Sequence, residues 1–157
     1  MRSSVGLTRA SLLWVAIAAF VQIAAADPTE MDSDLVARDE DYAAGKQAVD
    51  KKDWAEAVRF FQRAELRHPD DANLQTILGF SYRNLKHYDL AFKHYRRAIE
   101  LDPRNRGAHE YIGEAYLMTG DLAAAEKHLA ALKEICLLPC EELKDLESAI
   151  TNYQRRK

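Results

Sequence analysis

From residue 38 to residue 139 apolar side chains recur at the spacing of a helix face, and short polar breaks interrupt them at even distances. In the middle of this stretch Leu78, Tyr82 and Leu85 stand at i, i+4 and i+7, and Ala91, Tyr95 and Ala98 make a second such face. Lys86-His87 separates the two segments; Lys51-Lys52-Asp53 and Gly120-Asp121 make the corresponding breaks on either side. Two segments of about a dozen residues joined by such a break predict a helical hairpin, and the pattern predicts three in succession.

The hairpins repeat at one constant offset, the step from Pro69 to Pro103. At that step Gly45 pairs with Gly79, Trp54 with Tyr88, Ala57 with Ala91, Phe61 with Tyr95 and Ala64 with Ala98; Lys52 and Lys86, and Arg63 and Arg97, share it. A further step reaches Gly113, Tyr116, Ala125 and Leu129. The registers are 38–71, 72–105 and 106–139. Glycine in a helix interior costs about 1 kcal/mol relative to alanine, so Gly45, Gly79 and Gly113 predict a close approach of helices, with Ala57, Ala91 and Ala125 as the small facing surfaces. Trp54 and Tyr88 are expected to fill the space at the hairpin turns. Pro69 and Pro103 end the second helices, because proline has no N–H for a continuing turn.

Gly79, Tyr82, Tyr88, Ala91, Tyr95, Ala98 and Pro103, with Leu78 before the glycine, resemble in order and spacing the small-and-aromatic signature of the tetratricopeptide repeat. Repeat one departs from it at Ala48, where tyrosine is usual; repeat three departs at Leu132 and Leu137. The resemblance implies an all-α fold, a right-handed superhelix of three stacked helix-turn-helix repeats whose first helices line a concave groove. The inner positions it assigns are Tyr42, Lys46 and Val49 in repeat one, Asn73, Thr76, Phe80 and Arg83 in repeat two, and Glu110, Glu114 and Leu117 in repeat three. Phe80 lies off the Leu78–Tyr82–Leu85 face and beside Arg83, an arrangement that suits an anchor pair; packing of Phe80 against a neighbouring first helix is the alternative. The Lys/Asn pattern by which some members clamp a terminal carboxylate is absent, because Thr76 and Glu110 occupy its positions.

A stack of repeats leaves an apolar end that needs covering. In residues 140–157, Leu143, Leu146, Ile150 and Tyr153 recur at i, i+3, i+7 and i+10, with Glu141, Glu142, Lys144 and Glu147 on the other faces. This predicts a C-terminal capping helix, or else a free amphipathic helix that binds a partner.

The N-terminal residues are of another kind. Arg2 and Arg9 precede an apolar stretch from Ala10 to Ile23, followed by Ala24-Ala25-Ala26, and no acidic residue occurs before Asp27. Residues 1–26 read as a secretory signal peptide, short for a bilayer span, with an uncleaved anchor as the other reading. Residues 27–37 are a polar leader or an extra turn on the first helix. The expected location is the periplasm or the extracellular space.

Composition narrows the function. The 157 residues are 48 % hydrophobic and 30 % charged, with 6 Gly and 4 Pro, and the formal charge is −3. Acidic residues flank the basic group Lys93, Arg96 and Arg97, so no basic face for nucleic acid is formed. Cys136 and Cys140 flank Leu137-Leu138-Pro139, whose proline breaks the helix and lets the two meet across a turn. In an oxidising compartment they predict a structural disulfide stapling the last repeat to the cap, worth about 2 kcal/mol for so short a loop. A redox-active pair lacks the Cys-x-x-Cys spacing, and zinc would have only His128 nearby. His94 and His128 share a repeat position, which suggests duplicated surface or inter-repeat packing. His109-Glu110 lacks the second histidine of a zinc-protease helix, since residue 113 is Gly. The sequence predicts no catalytic residue, no metal and no cofactor. It predicts an adaptor that holds a peptide or helix of another protein, with a self-associating assembly part (a homodimer) and a thiol-redox helper as alternatives.

Overall fold

The computed structural model describes residues 35–156, so the proposed signal peptide and residues 27–34 of the leader lie outside the described residues. Seven helices follow a short helical turn at 35–37: α1 Glu40–Asp50, α2 Trp54–Glu65, α3 Ala72–Asn84, α4 Tyr88–Leu101, α5 Arg106–Thr119, α6 Leu122–Ile135 and α7 Glu141–Arg155. They form a right-handed superhelix of three helical hairpins with α7 as a terminal helix. α3 packs on α5 and α5 on α7, whereas the second helices pack on their hairpin partners and on the next first helix.

Capping explains where the helices begin. The side chains of Asp39, Asp53, Asp71, Asn105 and Asp121 each accept a backbone N–H of the first turn. The hairpin turns repeat as faithfully: Lys52 (φ 56°), Lys86 (φ 63°) and Gly120 (φ 91°) stand one repeat apart, and each takes the left-handed conformation that closes the turn. Only the third turn uses the residue for which that conformation is free of strain.

The mid-helix glycines meet different partners from the expected ones. A Cβ on Gly45 would lie 2.5 Å from the Phe61 ring, and one on Gly79 would lie 2.6 Å from Tyr95. The facing surface is thus an aromatic ring of the second helix, while Ala57, Ala91 and Ala125 are buried elsewhere. In repeat three the contact passes to Leu146 of α7, 2.7 Å from a Cβ on Gly113. That assignment follows the register: Leu146 and Ile150 stand one full repeat beyond Ile112 and Tyr116, so α7 is the first helix of an unfinished fourth repeat. Leu146 and Ile150 join Leu117, Ala125 and Leu132 in a second apolar cluster, next to the main core of repeats one to three. α7 therefore caps the stack and is not a free helix.

The other end is held by charge. Val36, only 2 % exposed, inserts into the core from the described part of the leader. Behind it Asp39 accepts from Arg67 (2.7 Å) and lies 3.2 Å from His68, and Asp41 accepts from Arg63 (2.6 Å) and Arg67 (2.7 Å). The Arg67 hydrogen bond holds the Asp39 carboxyl well below the usual carboxylate range.

His94 and His128 pack against the first helix of their own hairpins, and His94 Nδ1 also lies 3.7 Å from Glu65 of repeat one, which is the packing between repeats expected at that position. His94 Nδ1–H donates to Gln75 (2.7 Å) and its ring stacks on Tyr82; Gln75 in turn donates to the Pro69 carbonyl (3.1 Å). One repeat on, His109 stands for Gln75 and its Nε2–H donates to the Pro103 carbonyl (3.2 Å). Its Nδ1 is left to accept from His128 Nδ1–H at 3.0 Å, with His128 stacked on Tyr116. Burial lowers both pKa values, that of His128 to about 4 with His109 as a second cause.

Two outcomes are expected. Leu146→Ala empties the slot over Gly113 and lowers stability by about 2–5 kcal/mol in chemical denaturation, whereas Leu129→Ala, at a partly exposed site, costs well under half as much. The two histidines stay neutral in the fold but ionise in the unfolded chain below about pH 6.5, so their contribution is whole above that pH and is lost as pH falls toward 4. His109→Gln, which copies repeat two, reduces the stability lost between pH 7 and pH 5 by about 1 kcal/mol; an unchanged loss would show that the pair does not titrate in that range.

Candidate functional site

The inner side of the stack is built by α3 and α5, and the helix caps set their register. Asn105 accepts from Ala108 N–H (2.9 Å) to start α5, and its amide also donates to Asn73 (3.2 Å) on the first turn of α3. Thr76 donates to the Ala72 carbonyl (2.8 Å) and faces the same Asn105 at 3.4 Å. One cap thus ties the starts of two inner helices together.

One turn further along, the aromatic side chains meet. Phe80 lies edge-on to Trp54 at 5.6 Å and tilted to Tyr111 at 5.0 Å, half-buried between them. Packing against neighbouring helices therefore holds Phe80, and one side of the ring stays at the surface. The Arg83 guanidinium lies 5.0 Å from the Phe80 ring and 5.3 Å from the Tyr111 ring. It is buried, ion-paired to Glu114 and donating to the Tyr111 carbonyl at 3.4 Å.

Of the ten inner positions read from the sequence as exposed, four are buried: Thr76, Arg83, Glu110 and Leu117. The cause is the stacking of α3 on α5 and of α5 on α7, which covers the flank of each first helix that looks toward the next. Arg83 is consequently a strut between α3 and α5 rather than a free anchor, and Leu117 belongs to the second core. Lys46 and Asn73 are exposed; Tyr42, Val49, Phe80 and Glu114 are half-buried. Tyr42 packs on Phe61 at 5.7 Å and Val49 on the main core, so repeat one contributes Lys46 as its open inner side chain.

Glu110 is electrostatically exceptional. Its residue is 9 % exposed, and among the described residues no hydrogen bond or ion pair reaches its carboxylate. Burial, then Glu114, Asp145 and Glu142, pushes its pKa up to about 8 against the opposing pull of Arg83. Glu142 has Arg106 3.6 Å away. Tyr111, Glu142 and Asp145 escaped the sequence reading, as did Trp54 as a wall of the site. Continuing the repeat register into α7 would have found part of this, because it puts Asp145 at the position of Tyr111.

The sulfurs of Cys136 and Cys140 lie 2.13 Å apart, closing a loop between α6 and α7 in which Leu137 is 92 % and Leu138 80 % exposed. Among the described residues no group of three or more His, Cys, Asp or Glu side chains is placed to hold a metal ion. No described helix is long and apolar enough to cross a membrane.

Glu110→Gln tests the electrostatic reading. The carboxyl keeps its proton longer in the folded chain than in the unfolded one, so it withdraws stability as pH rises from about 4.5 toward 8. The variant and the natural chain should match near pH 4.5, and the variant should be more stable by roughly 1–3 kcal/mol at pH 8. Parallel stability curves over that range would show an ordinary, solvated carboxylate.

Comparison with known proteins places this geometry. Residues 72–105 match the family model of the tetratricopeptide repeat. Over 98 residues the chain is 32 % identical to Protein bimA of Emericella nidulans; the match takes in 62 % of this chain and 12 % of that protein. Among solved structures, the yeast Sti1 TPR2B domain in complex with pHsp70 superposes with a TM-score of 0.68 at 19 % identity, covering 81 % of this chain and 99 % of that one. The Yersinia enterocolitica type III secretion chaperone SycD, in complex with a peptide of the translocator YopD, gives a TM-score of 0.65 at 22 % identity, covering 81 % and 95 %.

Proposed function

We propose that this chain, which carries a tetratricopeptide repeat at residues 72–105 and has the fold of such repeats, is a non-catalytic adaptor whose concave face holds a peptide or helix of another protein. The observation that carries the reading is the inner surface of α1, α3 and α5. There Lys46 and Asn73 are open to solvent and the half-buried rings of Phe80 and Tyr111 offer apolar area between them. Rigid aromatic surface edged by polar groups is what a partner segment can bury at low entropic cost. The SycD and Sti1 domains, similar in fold, are described in complexes with a YopD peptide and with pHsp70, which supports the same use of the fold here. With three repeats the groove suits a short segment or a single helix.

The apolar stretch after Arg2 and Arg9 supports export to the periplasm or beyond, and a disulfide between Cys136 and Cys140 accords with an oxidising compartment. In this reading the disulfide is a structural staple rather than a redox centre.

A photo-crosslinking residue placed at Asn73 of the full chain should join a partner protein in its native extract, whereas one at Lys127 on the second helix of repeat three should not. Phe80→Ala should weaken the isolated partner's binding by about tenfold or more. Equal cross-linking from both positions moves the site off the groove. Cross-links only to other copies of the chain, with a concentration-dependent dimer in light scattering, make self-assembly the function.

A further inference from the structure

Leu137 and Leu138 are almost fully exposed, and among the described residues no other two neighbouring large apolar side chains are both turned to solvent. The loop that carries them is fixed. The Cys136–Cys140 disulfide closes it, and the Arg104 guanidinium, donating to the Ile135 carbonyl at 3.2 Å, ties the end of α6 to the connection before α5. Holding two adjacent leucines in water forgoes their burial. It also removes most of the ordering cost that docking would otherwise impose on them.

A separate apolar feature stands at the other end of α7. Between its last turns and α5 lies a cleft of about 300 Å³, with Leu117, Met118, Ala149 and Tyr153 among its walls and Arg156 beside them. An engineered protein cavity of about 150 Å³ takes up benzene, so the cleft has room for leucine side chains. The Tyr153 hydroxyl donates to the Gly120 carbonyl (3.3 Å), which sets the cleft near the hairpin turn of repeat three, across the stack from the leucines.

The leucines cannot fill the cleft of their own chain, because α7 runs between the two. Its 15 residues make a rod of about 22 Å at 1.5 Å per residue. In a second copy laid antiparallel they can. A two-fold axis across the middle of α7 brings the leucine end of each helix to the cleft end of the other, and two identical contacts form at once. Charge favours this direction. Glu141 and Glu142 stand at the leucine end of α7, with Arg106 3.6 Å from Glu142, and Arg155 and Arg156 stand at the cleft end. An antiparallel pair sets acids against bases, whereas a parallel pair sets like charges together.

We propose that the chain forms a two-fold dimer through α7, in which Leu137 and Leu138 of each copy occupy the cleft between α5 and α7 of the other. Four leucine side chains bury less than a standard interface does, so the dimer is weak and reversible, with a dissociation constant on the order of 10–100 μM. The proposal is independent of the groove reading, since neither Lys46 nor Asn73 nor Phe80 lines the cleft.

The test is sedimentation equilibrium of the full native chain between about 5 and 500 μM, beside a Leu137→Ser/Leu138→Ser variant and a form with a photo-crosslinking residue at Asn152. The native chain should pass reversibly from monomer to dimer over that range and no further. The double variant should associate more weakly by about tenfold or more. Its circular dichroism and melting temperature should be unchanged, because both leucines are exposed. Cross-links from Asn152 should fall on residues 136–140 of the other copy. A monomer at every concentration, a dimer indifferent to the two serines, cross-links to other segments, or association that continues beyond the dimer would each overturn the docking. A dimer of this kind without any partner cross-linked at Asn73 would remove the groove reading alone. A partner cross-linked at Asn73 of a chain that never dimerises would remove this proposal alone.

Discussion

The fold depends on a distance that only glycine allows. Where Gly45 and Gly79 pass Phe61 and Tyr95, a methyl group would sit about half an ångström inside the closest normal contact, so the two helices of the first and second hairpins touch backbone to ring. The hairpin turns take the same tight left-handed form at Lys52, Lys86 and Gly120. Each helix pair then presents the same shape to its successor. The superhelix is the accumulation of one local constraint, repeated.

At the third glycine the constraint is met from outside the hairpin. Gly113 receives Leu146 of α7, and that substitution makes the last helix part of the array rather than an appendage. It also brings carboxylates of α7 beside Glu110 on α5, so the electrostatics of the inner face depend on the same contact that closes the core. The Cys136–Cys140 link lies in the connection to that helix.

The repeat, the hairpins and the cap were legible in the sequence because they follow from spacing along the chain: the glycines, Pro69 and Pro103, and the apolar face of α7 all lie at regular offsets. What lay beyond reach was set by neighbours on other helices, far along the chain. Arg83 reads as a free anchor from its own helix alone, and Glu114 on the next first helix is what holds it. Glu110 reads as exposed from its own helix alone and is 9 % exposed in the stack, and His109 and His128 meet only across a hairpin. Burial on the flank of a helix depends on how far each repeat is rotated on the last, and no local periodicity encodes that angle. For Phe80 the packing alternative is what the structure shows, its ring lying against Trp54 and Tyr111 with part of it at the surface.

The two ends of the stack are fastened by different forces. At the beginning, Asp39 and Asp41 are gripped by Arg63, Arg67 and His68 beside Val36. At the end, Leu146 and Ile150 lie in hydrocarbon. Salt screens the first arrangement and leaves the second almost untouched, whereas cooling weakens the second more than the first. Since each repeat in such an array is supported only by its neighbours, loss of order enters from whichever end the surroundings have loosened. A saline medium would loosen the ion pairs on the amino-terminal side of this stack first, and a cold one the apolar contacts on its carboxy-terminal side.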